Sequence, residues 1–193
     1  MKILIACEYS GTVREAFRAN GHDAISCDLL PSDDGKPHHY QGNVFDIIYD
    51  GWDMMIAHPP CTHLAVSGAA WFKYKKQEQA EALGFVRALM DAPIKKICIE
   101  NPISVISTKI RKPDQIIQPW MFGHKESKAT CLWLKNLPLL TPTDNVKEAM
   151  MLLPIKERQR LHWLPPSPDR WKIRSKTFQG IANAMAEQWD SLR

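Results

Sequence analysis

Ile56-Ala57-His58-Pro59-Pro60-Cys61-Thr62 is the stretch whose reading decides the fold. The apolar run from Met54 to Ala57 predicts a buried strand. Proline has no N–H and cannot extend a sheet ladder, so the strand stops at Pro59-Pro60. Cys61 then sits on a stiff loop just past the strand's carboxyl end, where open α/β sheets bind their ligands. A free cysteine is most often a small buried hydrophobe. The rest of the chain has to decide between the two readings.

Upstream, residues 2–7 form an apolar strand, Glu8-Tyr9-Ser10-Gly11 a turn with Ser10 as helix N-cap, and residues 12–20 a helix stopped by Gly21. A second strand, residues 23–29, ends in Cys27-Asp28-Leu29. A β–loop–helix–β unit of this kind binds the nucleoside part of a cofactor: loop amides approach it, and an acid at the second strand end takes ribose hydroxyls. Residues 31–40 are a polar loop, and 41–46 a short strand and turn. Downstream, residues 67–74 are a loop bearing Trp71 and Phe72, and 76–90 an amphipathic helix. The strand at 96–99 ends in Glu100-Asn101-Pro102, so a second strand end carries polar side chains beside the first. Residues 103–119 read as a polar connection. Residues 120–123 and 129–134 read as an antiparallel edge pair, 145–161 as a helix interrupted by Pro154, 165–168 as a stiff linker, and 176–192 as a last helix capped by Ser175.

A chain of 193 residues suits one domain with a small lobe. No segment reads as a leader or a membrane span. The chain is expected to be a cytoplasmic monomer with no membrane partner. Its cysteines (7, 27, 61, 98 and 131) contain no Cys-x-x-Cys pair, which disfavours a disulfide framework or a zinc ribbon. Cys7, Cys27 and Cys98 lie in apolar runs and read as core thiols. His58 and His63 flank Cys61, but the spacing fits no zinc site, and no metal is expected. The net charge is +4, and the basic residues crowd into the C-terminal third. There Arg158, Arg160, Arg170, Lys172 and Arg174 alternate with Trp163 and Trp171, a pattern suited to phosphates and unpaired bases.

A cysteine and a glutamate on adjacent strand ends, beside a nucleoside site, suggest a reaction. A thiolate adds to C6 of a pyrimidine when a carboxyl group supports the charge at N3. C5 then becomes able to take a methyl group from a sulfonium. At this point the chain resembles the DNA cytosine-5 methyltransferases, in a short form similar to small phage-encoded members. His58-Pro59-Pro60-Cys61 resembles the nucleophile loop, with Pro59 near the cofactor, and Glu100-Asn101-Pro102 resembles the Glu-Asn-Val motif. The segment from Ile5 to Gly11 resembles the first cofactor loop, which implies that Glu8, Tyr9, Ser10 and Gly11 contact the cofactor. Asp28 and Leu29 fall at the ribose position, and Gly42-Asn43-Val44 resembles the adenine contact. The segment from Phe122 to Thr130 resembles the motif that contacts the target base, with Lys128 as its cation. The segment from Gln179 to Ala184 resembles the last motif, in which Asn183 closes the cofactor pocket.

The resemblance implies a Rossmann-like class I fold, mostly parallel with an antiparallel edge strand and helices on both faces. It implies S-adenosylmethionine or a modified analogue as methyl donor and DNA as partner, in a host cell's cytoplasm if the chain is phage-encoded. Residues 1–134 would be the catalytic core, 135–174 a reduced target-recognition lobe, and 175–193 a returning helix. So small a lobe leaves few side chains to read a groove, so low sequence specificity, or a preference for single-stranded or distorted DNA, is expected. Two rival readings stay open. One is an exocyclic amino-methyltransferase, which needs no thiol. The other is a catalytically idle nucleotide- or DNA-binding protein.

Overall fold

The computed structural model describes residues 1–190. Near its middle lies β1 (Lys2–Ala6), apolar at every position after Lys2 because both of its faces are covered. The sheet runs in the order β3 (His39–Gln41), β2 (Asp23–Asp28), β1, β4 (Met54–Ala57), β5 (Lys96–Pro102), β7 (Thr130–Lys135) and β6 (Gln115–Ile117). The five strands from β3 to β5 are parallel. β7 is antiparallel to both β5 and β6. Helices follow in chain order: α1 (Thr12–Ala19), α2 (Lys76–Met90), α3 (Ile106–Lys109), α4 (Lys147–Met151), α5 (Ile155–Arg158), α6 (Arg160–Trp163), α7 (Arg170–Ser175) and α8 (Gln179–Asp190).

Side chains alternate across the sheet with the strand period of two. Ile3, Ile5, Met54, Ile56 and Cys98 join one core with Val13 and Phe17 of α1 and Ile181, Met185 and Trp189 of α8. Leu4, Ala6, Met55, Ala57, Ile97 and Ile99 join the other, with Leu83, Val86 and Leu89 of α2. The chain winds outward from β1 to β3, then returns to the far side of β1 as β4. That reversal opens a crevice at the carboxyl ends of β1 and β4, where α/β sheets hold ligands.

Several sequence-based expectations change. The strand expected at 120–123 is a 3-10 turn over Pro119–Met121, because Pro119 fixes a turn conformation at its first position. The partner of β7 is instead β6, from within the stretch read as a polar connection. β5 does not stop at Ile99 but runs to Pro102. β4 ends opposite Ile99, so beyond it β5 pairs only with β7 and the proline costs no ladder bond on the other side. The 145–161 helix is three short helices, α4 to α6, and a further one, α7, follows the 165–168 linker. Ser175 ends α7 rather than capping the last helix, which begins at Gln179. The expected end of that last helix at Leu192 lies outside the described residues. No described helix is long and apolar enough to cross a membrane.

Arg14 is wholly buried on α1 and was not singled out by the sequence. Its guanidinium pairs with Asp34 and donates to Glu15 Oε1 at 2.9 Å and Ser26 Oγ at 2.9 Å. Gly11, with φ of 73°, leaves room for this cluster: a Cβ there would lie 2.5 Å from the Arg14 guanidinium. The Asp34 carboxyl is pulled down to about 2, against burial, by its bonds from Ser32 and Arg14. A depressed carboxylate stabilises the fold above its unfolded pKa, and that stabilisation is lost as pH falls through the folded value. Arg14→Ala should therefore destabilise the protein by about 3 kcal/mol at neutral pH. Between pH of about 4 and about 2 the wild type should lose stability towards the variant. Urea midpoints measured across that range check both statements.

Candidate active site

β1, β4 and β5 run in register, with Ala6 beside Ala57 and Ala57 beside Ile99, and β5 continues past them to Pro102. The His58 N–H makes the last rung, to the Ala6 carbonyl at 2.9 Å. Beyond it the two prolines turn the chain out of the sheet. The Cys61 carbonyl accepts from the N–H groups of Leu64 and Ala65 at 3.0 and 2.8 Å. This closes a tight turn with Cys61 exposed on it. Two fastenings tie the turn to the end of β5. Asn101 donates its amide to the Pro59 carbonyl at 2.8 Å. Leu64 and Val66 pair with Val105 and Ile103 through backbone bonds of 3.0 and 3.1 Å. The Cys61 loop and the Glu100 strand end are thus one rigid unit.

Glu100 sits almost buried and accepts a hydrogen bond from His58 Nδ1 at 2.9 Å. Burial opposes its charge, but His58 and then Lys128 hold its carboxyl below the usual carboxylate range. Burial likewise opposes the His58 imidazolium, yet the Glu100 bond and charge raise its pKa above the ordinary value. Enclosure by its loop and the Glu100 charge push the Cys61 thiol up, while Lys128 and Arg174 pull it down. The charges on Lys128 and Arg174 therefore favour the thiolate. Lys128 itself donates to the Arg174 carbonyl at 2.9 Å, which ties the strand before β7 to α7. Of the other thiols, Cys27, Cys98 and Cys131 are buried in the core, and burial raises Cys27 to about 12 and Cys131 to about 11. Cys7 is only half-buried, at a φ of 58°.

A pocket of about 500 Å3 opens beside this unit. Asp28, Leu29, Asn43 and Val44 line it, and so do Cys7, Phe45, Pro60, His63 and Phe85. Pro60 takes the place expected of Pro59, which is buried with its carbonyl committed to Asn101. Asp28 Oδ1 accepts from the Leu30 N–H at 3.0 Å, which fixes the carboxylate at the end of β2. Asn43 caps the 3-10 turn Val44–Asp46 by accepting from the Phe45 N–H, and so sets Val44 and Phe45 against the pocket. Phe85 on α2 meets Phe45 edge-on at 5.6 Å between centroids. Neither aromatic was singled out by the sequence, although Phe45 directly follows the Gly42-Asn43-Val44 motif.

The first loop is built differently from its reading. Glu8 is buried and caps α1: its carboxylate accepts from the Val13 and Arg14 N–H groups at 2.7 and 3.2 Å and from Ser10 Oγ at 3.2 Å. Ser10 is therefore not the N-cap that its position suggested; Gly11 holds that place without a side chain. Tyr9 donates its hydroxyl to the Lys172 carbonyl at 2.9 Å and packs its ring against Trp171. None of Glu8, Tyr9, Ser10 and Gly11 lines the pocket. Asn183 is exposed on α8, accepts from Gln179, and does not line it either.

A second pocket, of about 400 Å3, lies between β7 and the short helices. Gln118, Ser127, Lys128, Gln159, His162 and Arg174 line it, without a carboxylate. The remaining C-terminal cations are partly used within the fold. Arg160 pairs with Glu126 at 2.9 Å, Arg170 donates to the His162 carbonyl, Arg158 reaches the Met151 sulfur, and Lys172 lies 3.9 Å from Asp169. Trp163 and Trp171 are both about half exposed. The 67–74 loop is a 3-10 segment, Val66–Tyr74, with Trp71 and Tyr74 exposed beside Lys73. Among the described residues no His, Cys, Asp and Glu side chains group as metal ligands would.

No protein-family model matches the chain, and no curated protein does. Among solved structures, the chain is similar to the Entamoeba histolytica methyltransferase EhMeth, with a TM-score of 0.54 and 17% identity over 74% of this chain and 57% of that one. It also matches a structure from E. coli described as a candidate DNA modification methyltransferase encoded within a prophage, with a TM-score of 0.46 and 13% identity over 80% of this chain and 49% of that one. The chain thus spans about half the length of the solved structures it matches. At such identities the likeness speaks for the fold alone, a Rossmann-like α/β fold with a mostly parallel seven-stranded sheet.

Proposed function

We propose that the chain transfers a methyl group from S-adenosylmethionine to C5 of cytosine in DNA, with Cys61 as the covalent nucleophile. The observation that carries this reading is the fastening of the Cys61 turn to the Glu100 strand end through Asn101 and the 64–66 and 103–105 backbone pairing. A catalyst that must present a nucleophile and an acid to two atoms of one ring needs such rigidity. A core thiol needs none.

The larger pocket suits S-adenosylmethionine. Its volume is in the range of small-ligand sites. The carboxylate of Asp28 can take ribose hydroxyls, and the apolar walls at Val44, Phe45 and Phe85 suit a purine. The residues that would hold the cofactor are therefore Asp28, Leu29, Asn43, Val44 and Pro60. Glu8, Ser10 and Gly11 act through the shape of the first loop, and Asn183 is left without a direct part. When bound, the cofactor supplies an electrophilic methyl group, or a modified one if the donor is an analogue.

On the target base the Cys61 thiolate adds to C6, and the C5–C6 electron pair shifts toward N3, where Glu100 supports it. C5 is then nucleophilic. After C5 is substituted, loss of its proton and of the Cys61 sulfur restores the ring. Lys128 and Arg174 favour the thiolate and lie in the smaller basic pocket, which suits the phosphates of the strand that presents the base. The exposed Trp71 and Tyr74 suit stacking on unpaired bases. Together with the small C-terminal region they favour single-stranded or distorted DNA, from which a base is extruded at less cost. Free thiols throughout the chain fit the reducing cytoplasm.

Incubation with S-adenosylmethionine and matched single- and double-stranded oligonucleotides, followed by mass spectrometry of the digested bases, tests the reading. The expected product is 5-methylcytosine, formed faster on the single strand. N4-methylcytosine or N6-methyladenine would replace it with amino methylation. Tight cofactor binding without product would mark an idle binding protein.

A further inference from the structure

His58 reads in the sequence only as a flank of the nucleophile loop, yet the fold turns it away from Cys61's solvent face and onto Glu100. Its Nδ1 lies 2.9 Å from Glu100 Oε2, and its ring is nearly enclosed. An ionised carboxylate only accepts hydrogen bonds, so Nδ1 carries the proton in this contact. The other ring nitrogen, Nε2, is buried and meets no hydrogen-bond partner among the described residues. The ring therefore has one directed contact, and that contact is Glu100. The first proline after His58 is fixed by Asn101, the residue that follows Glu100, at 2.8 Å. Loop and strand end thus set this one pair at both of its members.

We propose that His58 is a positioning residue that holds the proton Glu100 delivers to N3 of the target base. The proposal rests on the cytosine-5 reading above. Its logic is a matter of charge. Glu100 beside an imidazolium is a carboxylate, and a carboxylate has no proton to give. Between them the pair carries one: imidazolium on His58, carboxylate on Glu100. As Cys61 adds to C6, His58 Nδ1 gives its proton to Glu100 while Glu100 passes a proton to N3. His58 is left neutral with its proton on Nε2, and Glu100 is again a carboxylate. One S–C6 bond forms, one π bond shifts, and one proton moves from imidazolium to ring, so the step balances without a further reactant. When Cys61 leaves, the N3 proton returns by the same path. The charged groups that bear on His58 are Glu100 and Glu8, which favour its imidazolium, and Lys128, which opposes it. Glu8 is committed to the amides of α1, so Glu100 is the partner that can take the proton.

The test uses the whole 193-residue chain, S-adenosylmethionine and an oligonucleotide containing 5-fluorocytosine, on which the covalent adduct accumulates. The single-turnover rate of adduct formation is followed against pH for wild type, His58→Asn and Glu100→Gln. Asparagine can still donate an N–H to Glu100 but cannot carry the proton. In wild type the proton-donating limb should fall as pH rises through the imidazole range. In His58→Asn the neutral-pH rate should drop about 100-fold, as for loss of a general acid. Its limb should move down into the carboxylate range, with rate recovered on acidification because Glu100 must now be protonated itself. In parallel, NMR titration of the His58 ring should show its pKa falling in Glu100→Gln, a readout that needs no turnover. An equal loss at every pH with an unmoved limb would overturn the proposal and leave a packing role. A His58 pKa indifferent to Glu100→Gln would overturn it too. If wild type binds the oligonucleotide but forms no adduct, the cytosine-5 reading itself falls, and the proton role falls with it.

Discussion

Cys61→Ser should leave the fold and DNA binding in place and remove methylation almost entirely. The position is exposed, and the exchange replaces one sulfur by one oxygen, so stability should change by no more than about 0.5 kcal/mol. The chemistry is another matter. A serine hydroxyl ionises far less readily than a thiol, and the charged groups that bear on Cys61 are poorly placed to activate it: Lys128 and Arg174 are cations, and Glu100 is engaged with His58. The two cations favour a thiolate but cannot make an alkoxide at neutral pH. Turnover should fall by about 10⁴-fold, and the covalent product on 5-fluorocytosine DNA should vanish from denaturing gels. An active Cys61→Ser enzyme would return Cys61 to the role of a surface thiol. It would also favour amino methylation.

Glu100→Gln carries the second-largest expected effect. Glutamine keeps the volume and can accept the His58 Nδ1 hydrogen bond, so the strand end stays packed. It cannot accept and pass on a proton, and it removes the counter-charge of a nearly buried imidazole. A loss of about 10³-fold in single-turnover methylation is expected, with little change in DNA affinity. The variant should also change the pH dependence of folding. Glu100 is depressed, so its share of stability is present above its unfolded pKa, near 4.3, and lost as pH falls through the lower folded value. His58 is raised, so its share is fully present below its unfolded pKa, near 6.5, and lost as pH rises through the higher folded value. The wild-type pair therefore contributes most between pH of about 4.3 and about 6.5. Urea titrations should show the gap between wild type and Glu100→Gln widest in that window. A constant gap from pH 4 to pH 9 would mean that the two groups are not coupled.

Much of the architecture is legible in particular residues. The buried runs at 3–6 and 54–57 have to be central parallel strands, since both of their faces are apolar. Gly11 and Gly21 bracket α1, and Leu83 and Val86 mark the buried face of α2. Pro59-Pro60 forces the chain out of the sheet wherever β4 lies. What failed was local in kind. The Gln115–Ile117 strand is too short to show a period of two, and it is a strand only because β7 offers it an edge. The first loop looked like a set of cofactor contacts, but Glu8 faces the free amides of α1, a demand set by where the helix starts and not by residue type.

The sequence by itself determined that Cys61 stands on a stiff loop past a strand end, that the next parallel strand carries an acid at its end, and that Asp28 ends the second. Those statements need only the missing N–H of proline and the burial of apolar runs. Tertiary structure alone decided what each polar group faces. It gave His58 to Glu100, Glu8 to the helix amides, Pro60 and not Pro59 to the pocket, and left Asn183 outside it. The reason is physical: a strand's period tells which face a side chain takes, whereas the hydrogen-bond partner it finds there depends on how the chain folds around it, whether the start of the next helix for Glu8 or the end of a neighbouring strand for His58.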